Sequence, residues 1–225
     1  VKFTDLTDVL EPERLAVIIN CYLSEMASIA LDCGGTIDKF IGDAVLVFFG
    51  DPESEGETED ALKCVEMAIR MQQRVNELQD YWKKQGAPQE IQVRMGIATG
   101  YCTVGNFGSE QRLDYTAVGR PVNLAARLQG LADPATIIVD QNTHNLINDH
   151  VACENAGEIT PKGMARAVQI YRVAEFLSND HRQKRQTLSK VGKYVEVNVI
   201  NSTDVPALIE ELQQIKKDFE KQINS

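Results

Sequence analysis

The sequence predicts an α+β fold: a ferredoxin-like split βαβ sandwich that lacks its opening strand and carries a C-terminal strand and helix extension. Three observations predict it. Long stripes of apolar residues at helical spacing alternate with short strand-like runs, in the order helix, two strands, helix, strand. Glycine and aspartate sit where a tight hairpin needs them. From Leu177 the texture turns polar, which divides the chain into a main domain, 1–176, and an extension, 177–225.

The elements follow in order. Glu11-Pro12-Glu13 reads as a helix start, with acid residues in the first turn and proline at an early position. Leu15, Ile18, Ile19, Tyr22, Leu23, Met26 and Ile29 then recur at helical spacing as far as Cys33, and Gly34-Gly35 stops the helix. Thr36 to Phe40 and Ala44 to Phe49 read as two strands joined through Ile41-Gly42-Asp43. A second amphipathic helix, with Ala61, Val65, Ala68, Ile69, Gln72 and Val75 along one side, ends before Gly86. Gln92 to Ile97 and Tyr101 to Phe107 read as another strand pair. A helix from Pro121 to Leu131, a strand from Thr136 to Val139, a short helix near Asn142 to Ile147 and a strand from Val168 to Val173 complete the main domain. In the extension, SNDHRQKRQTLSK reads as a linker and Tyr194 to Ile200 as a strand. Val205, Leu208, Leu212, Ile215 and Phe219 form a terminal amphipathic helix, docked on its own domain or on a partner.

Composition limits the function. The 225 residues include 23 Lys plus Arg against 33 Asp plus Glu, a net charge of −10. A basic footprint for nucleic acid or anionic lipid is therefore absent, and an anionic ligand would need local cations or metal ions. The five cysteines are scattered without a CxxC pair, which fits a reducing, cytoplasmic setting better than a disulfide framework. The longest uninterrupted apolar run, Ala44 to Phe49, is far short of the roughly 20 residues of a membrane span. The chain opens on Val1, so a longer protein with an upstream anchor is an open expectation.

Two segments carry candidate chemistry. In DKFIGDAVLVFF, Asp43 sits at a hairpin tip beside Gly42, where a hard cation such as magnesium could find a carboxylate, or where the side chain could cap its own turn. Lys39, in a largely apolar strand, either snorkels to solvent or meets a ligand acceptor. In LDYTAVGRPVNLAARLQ, Asn123 and Arg127 are four residues apart and share a helix face, a geometry for a sugar and phosphate clamp or for a solvated face. Ala125 and Ala126 let that helix lie close to its neighbours.

Together these segments resemble the catalytic domain of class III nucleotide cyclases, from Val1 to about Phe176. Four signatures occur in the family's order: VKFT, the end of an FxDIxGFT-like opening; GGTIDKFIGDAVLVFFG; RMGIATGYCTVGNFG; and DYTAVGRPVNLAARLQ. The nearest resemblance is to bacterial adenylyl cyclases with threonine in the base-recognising position. It implies that Asp43 is the second of two aspartates holding two magnesium ions, for which manganese can substitute. The first aspartate would lie upstream of Val1. Phe3 and Thr4 match the stretch whose amides cradle the triphosphate. Lys39 and Thr116 match the purine-reading pair: the lysine donates to adenine N1 and the threonine accepts from the 6-amino group. Related guanylyl cyclases carry Glu at the Lys39 position, so the implied base is adenine. Many relatives have Asp where Thr116 stands. Asn123 matches the residue that orients the ribose, Arg127 the one that stabilises charge on the α-phosphate, and Lys162 a lysine on the terminal phosphates.

The implied enzyme is an adenylate cyclase that turns ATP into 3′,5′-cyclic AMP and pyrophosphate. Its sites would be shared across a homodimer, with Asp43 of one protomer facing Lys39, Thr116, Asn123, Arg127 and Lys162 of the other. The alternative is a cyclase-like regulatory domain that binds nucleotide without turnover. A diguanylate cyclase shares the split βαβ plan, but FIGDAV has no GGDEF-like pair of acids.

Overall fold

Pro12 opens helix α1 (Pro12–Asp32), with Glu13 in its first turn. The helix ends where Gly34 turns left-handed at φ +80°, so that the Gly34 and Gly35 amides reach back to the Leu31 and Ala30 carbonyls at 2.9 and 2.8 Å. The structure, a computed structural model, describes residues 6, 9–160, 167–177, 189–191, 196–198, 209–210 and 212–217. It divides into two compact units, 1–175 and 176–225.

After the α1 stop, β1 (Thr36–Ile41) and β2 (Ala44–Phe48) pair antiparallel across a turn in which Gly42 adopts φ +63°. The hairpin is not regular. Ile37 faces Val47 and Lys39 faces Leu46, so the register slips at Asp38. Such a bulge re-aims side chains that would otherwise alternate between faces.

The single helix expected before Gly86 is two: α2 (Glu57–Glu77) and α3 (Gln79–Lys84), separated at Leu78. The break lets Trp82 turn inward, where it is fully buried. It packs in one cluster with Ile18, Met26 and Ile29 of α1 and Met67, Met71 and Val75 of α2. By length and composition α1 is apolar enough to cross a membrane, a property the longest-run criterion misses. In this fold its apolar face supplies that core.

The strand pairing also departs from expectation. β3 (Met95–Ile97) is short and does not pair with the next strand. It runs parallel to β6 (Ile137–Asp140), from Met95 opposite Ile137 to Ile97 opposite Val139. β4 (Thr103–Ser109) instead pairs antiparallel with β5 (Arg112–Val118), which the sequence reading did not identify as a strand. α4 (Arg120–Leu131) follows directly, then β6, α5 (Gln141–Ile147), β7 (Val151–Ile159), also unread in the sequence, and β8 (Val168–Phe176). The main sheet has the order β3-β6-β8-β7 and is mixed, with β3 parallel and β8 antiparallel to β6.

α4 lies on β3 at backbone contact. A Cβ at Gly96 would fall onto the Gln129 amide and the Ala125 carbonyl, so Ala125 and glycine together set the approach. Leu124 and Leu128 of α4 close a second cluster with Ile138 and Ile170. Mixed sheet, flanking helices and hairpins make the α+β cyclase-type sandwich that the element order predicts.

In the second unit, β9 (Ser189–Val191) pairs antiparallel with β10 (Glu196–Asn198). β9 therefore falls at the end of the segment read as linker. Residues 209–210 and 212–217 are helical, and Ile209, Leu212 and Ile215 are exposed. Val205, Leu208 and Phe219 lie outside the described residues.

Candidate active site

The bulge in β1 and the strand β5 build the centre of the site. Lys39 and Thr116 are 77 residues apart in sequence, yet the Lys39 ammonium donates to Thr116 Oγ1 at 3.1 Å. Thr116 is buried within β5, opposite Gly105 of β4. The β5 neighbour Tyr115 donates its hydroxyl to the Asp51 carboxylate and tilts against Phe48 of β2. The Thr36 hydroxyl in turn donates to the Asp51 carbonyl at 2.7 Å. These contacts hold β5 against the β1–β2 hairpin.

A third residue completes the centre, and it was not singled out in the sequence. Asp38 has a fully inaccessible side chain. Its Oδ2 accepts from Thr116 Oγ1 at 2.6 Å and from the Ala117 amide at 3.0 Å. Its Oδ1 lies 3.0 Å from Lys39 Nζ as an ion pair without hydrogen-bonding geometry. Burial raises the carboxyl's proton affinity, but the Thr116 hydroxyl, the Ala117 amide and Lys39 outweigh it, and the pKa lies below its ordinary value. In a regular strand Asp38 and Lys39 would face opposite sides. Because of the register slip both address Thr116.

Asn123 and Arg127 stand one turn apart on α4 as the spacing predicts, with Asn123 exposed and Arg127 half-buried. The Arg127 Nη1 is buried and has no hydrogen-bond partner among the described residues. A guanidinium nitrogen withdrawn from water without an acceptor is costly, and an anion is the partner that would satisfy it.

Asp43 is half-buried at the β1–β2 tip. It stands near Tyr22, whose hydroxyl is pushed up to about 12, first by burial and then by the Asp43 charge. Among the described residues no group of three His, Cys, Asp or Glu side chains could hold a metal. Asp43 nonetheless supplies a hard oxygen donor, and magnesium takes one or two carboxylates while keeping several waters.

Asp38, Asp43 and Asn123 all line a cavity of about 1080 Å³ that is bordered by β2 and β3, strands that do not pair. Among the described residues, no hydrogen bond or ion pair joins Asp43, Asn123 or Arg127 to the Asp38–Lys39–Thr116 cluster. Phe3, Thr4 and Lys162 lie outside the described residues. None of the five cysteines is joined in a disulfide.

Comparison with known proteins identifies the family. The family described as adenylate and guanylate cyclase catalytic domain matches residues 1–175. The crystal structure of the adenylyl cyclase CyaB from P. aeruginosa is 48% identical with a TM-score of 0.76, covering 79% of this chain and 90% of that one. That of the guanylyl cyclase Cya2 is 35% identical with a TM-score of 0.73, covering 79% and 88%. A terminal-differentiation-specific adenylate cyclase of Dictyostelium discoideum is 32% identical over 186 residues, 80% of this chain and 8% of the relative. Adenylate cyclase 1 of Rhizobium meliloti is 29% identical over 174 residues, 76% of this chain and 26% of the relative. The chain thus spans a minor part of these curated relatives. The family match over residues 1–175 and the likeness to both kinds of solved enzyme show that the chain belongs to the class III nucleotide cyclases, as a catalytic domain related to both the adenylyl and the guanylyl enzymes.

Proposed function

We propose that this domain is an adenylate cyclase, converting ATP to 3′,5′-cyclic AMP and pyrophosphate at sites shared between two protomers. The observation that carries the reading is the Lys39–Thr116 contact at 3.1 Å. It joins, from strands far apart in sequence, the two side chains whose donor and acceptor match adenine N1 and its 6-amino group. Guanine presents the reverse pattern, with a donor at N1 and an acceptor at O6.

The remaining roles are those that the family resemblance implies. Asn123 orients the ribose so that its 3′-hydroxyl faces the α-phosphorus. Arg127, whose buried Nη1 lacks an acceptor, binds the α-phosphate oxygens and gains most when charge builds there in the transition state. The Phe3 and Thr4 amides and the Lys162 ammonium hold the terminal phosphates. The 3′-oxygen then forms its bond to the α-phosphorus as the bond to the bridging oxygen breaks and pyrophosphate leaves. Asp43 would hold magnesium, or manganese in its place, as part of a two-ion site; such ions, when bound, would supply acidification of the attacking hydroxyl and neutralisation of phosphate charge. Exposed Phe40 and Ile41 at the β1 tip and Leu113, Tyr115 and Val118 on β5 suit burial against a second copy. A cytoplasmic setting supplies the ATP and keeps the five thiols reduced.

The test is product identification with ATP and with GTP in the presence of magnesium or manganese, using the full-length protein. Cyclic AMP from ATP, in clear excess over cyclic GMP from GTP, is the expected result. Predominant cyclic GMP would overturn the base assignment. Tight nucleotide binding without either product would favour the regulatory alternative.

A further inference from the structure

We propose that Asp38 sets the base preference of this site by fixing the Thr116 hydroxyl as a hydrogen-bond acceptor. The inference rests on the adenine reading above and concerns a residue that the reading does not use.

A threonine hydroxyl has one proton and two lone pairs, and a free rotor can offer either to a ligand. Thr116 is not free. An ionised carboxylate only accepts, so the 2.6 Å contact with Asp38 Oδ2 must take the hydroxyl proton. An ammonium only donates, so the 3.1 Å contact from Lys39 must occupy one lone pair. What remains to face a base is a single lone pair. That lone pair suits the 6-amino group of adenine and opposes the O6 of guanine, which needs a donor.

Asp38 holds this arrangement firmly. Its side chain is inaccessible to water, and the Ala117 amide at 3.0 Å anchors the same oxygen that receives the threonine proton. The ion pair at 3.0 Å also restrains Lys39, the other half of the base-reading pair. The register slip at Asp38 is what makes this possible, because it lets consecutive residues address one hydroxyl. Threonine alone would read a 6-amino group and an O6 about equally well. Threonine locked by a buried acid reads only the former. Asp38 is a positioning residue: it acts through Thr116 and touches no reacting atom.

The experiment compares kcat/KM for ATP and for GTP in the wild type and in Asp38→Ala, Asp38→Asn and Thr116→Val, with folding followed by the fluorescence of Trp82, the sole tryptophan. Asp38→Ala releases the rotor, and the ATP-to-GTP ratio is expected to fall by about tenfold, the order of one mismatched buried hydrogen bond. Asp38→Asn keeps an acceptor for the threonine proton and is expected to retain most of the preference. A folded Asp38→Ala with the wild-type ratio, or an Asp38→Asn that loses as much as Asp38→Ala, overturns the proposal while leaving the adenine reading intact. Should Asp38→Ala not fold, Thr116→Val decides. A hydroxyl fixed as acceptor predicts that ATP turnover falls and GTP turnover does not, whereas loss of both means the rotor was free and the proposal is wrong. A wild type without preference for ATP removes the adenine reading, and this assignment with it.

Discussion

Asp38 also leaves a signature in acid. Its folded-state pKa lies below the ordinary value, so the ionised form is favoured by folding. The stabilisation it brings is complete above the unfolded-state pKa of about 3.9 and is lost as pH falls through the lower folded-state value. The melting-temperature advantage of the wild type over Asp38→Asn is therefore expected to be constant from neutral pH to about pH 5 and to shrink below about pH 4. Melts followed by Trp82 fluorescence measure it; an advantage unchanged into strong acid would mean that the charge contributes nothing. At Asp43 and Arg127 the readout is turnover. Asp43→Ala is expected to abolish metal-dependent cyclisation while the melt stays within a few degrees of wild type, because the side chain sits at a hairpin tip. Retained turnover would remove Asp43 from the mechanism. Arg127→Ala is expected to lower kcat by about two orders of magnitude with KM changed only a few-fold, the pattern of a contact made in the transition state. A change confined to KM would mean that the guanidinium serves ground-state binding.

The contact between α4 and β3 carries a different expectation. Because both atoms that a Cβ at Gly96 would strike are backbone, neither can rotate away, and Gly96→Ala must push helix and strand apart. The cost is expected to be about 1–3 kcal/mol, read as a lower urea midpoint at unchanged slope; a neutral substitution would mean that α4 shifts freely. The same elements show how far the sequence could be read. α1 was legible because its apolar period, opening Pro12 and terminal Gly34 all agree. The β1–β2 hairpin was legible because Gly42 marks its turn. Partners were harder. β3 and β4 are neighbours in sequence, but β3 takes β6 as its partner, and nothing local in Met95-Gly96-Ile97 encodes a crossover. β5 hid because four of its first residues, Arg112 to Tyr115, face solvent and only Thr116 and Ala117 are buried. The break at Leu78 carries neither proline nor glycine; it is the burial of Trp82 that makes it worthwhile. Within the site, Asp43, Lys39, Asn123 and Arg127 stood out from their local patterns, motif resemblance gave them roles, and Thr116 was found through that resemblance alone. Asp38 was missed because period-two alternation places it on the face opposite Lys39, and a bulge is invisible to that rule.

At the scale of the whole molecule, a net charge of −10 disfavours a triphosphate approaching the domain, so binding depends on cations gathered locally. Among the described residues no hydrogen bond or ion pair links Asp43 to the Lys39–Thr116 centre or to Arg127. In the two-fold pair proposed above, the Asp43 of one copy would face the base- and phosphate-binding groups of the other, which would give two equivalent sites. The arrangement has a consequence that no intramolecular site shares. In a dimer of Asp43→Ala with Arg127→Ala, one site collects both lesions and the other collects neither. Equal mixing gives half of all dimers this composition, so activity is expected to return from near zero to about one quarter of the wild-type value. The measurement is cyclic AMP production after the two inactive variants are mixed at concentrations where sedimentation shows dimers, with each variant alone as the baseline. Recovery should follow subunit exchange in time and vanish on dilution below the dimer dissociation constant. If mixed dimers form and stay inactive, each chain must hold its own metal carboxylate and its own arginine, and the shared-site arrangement is wrong.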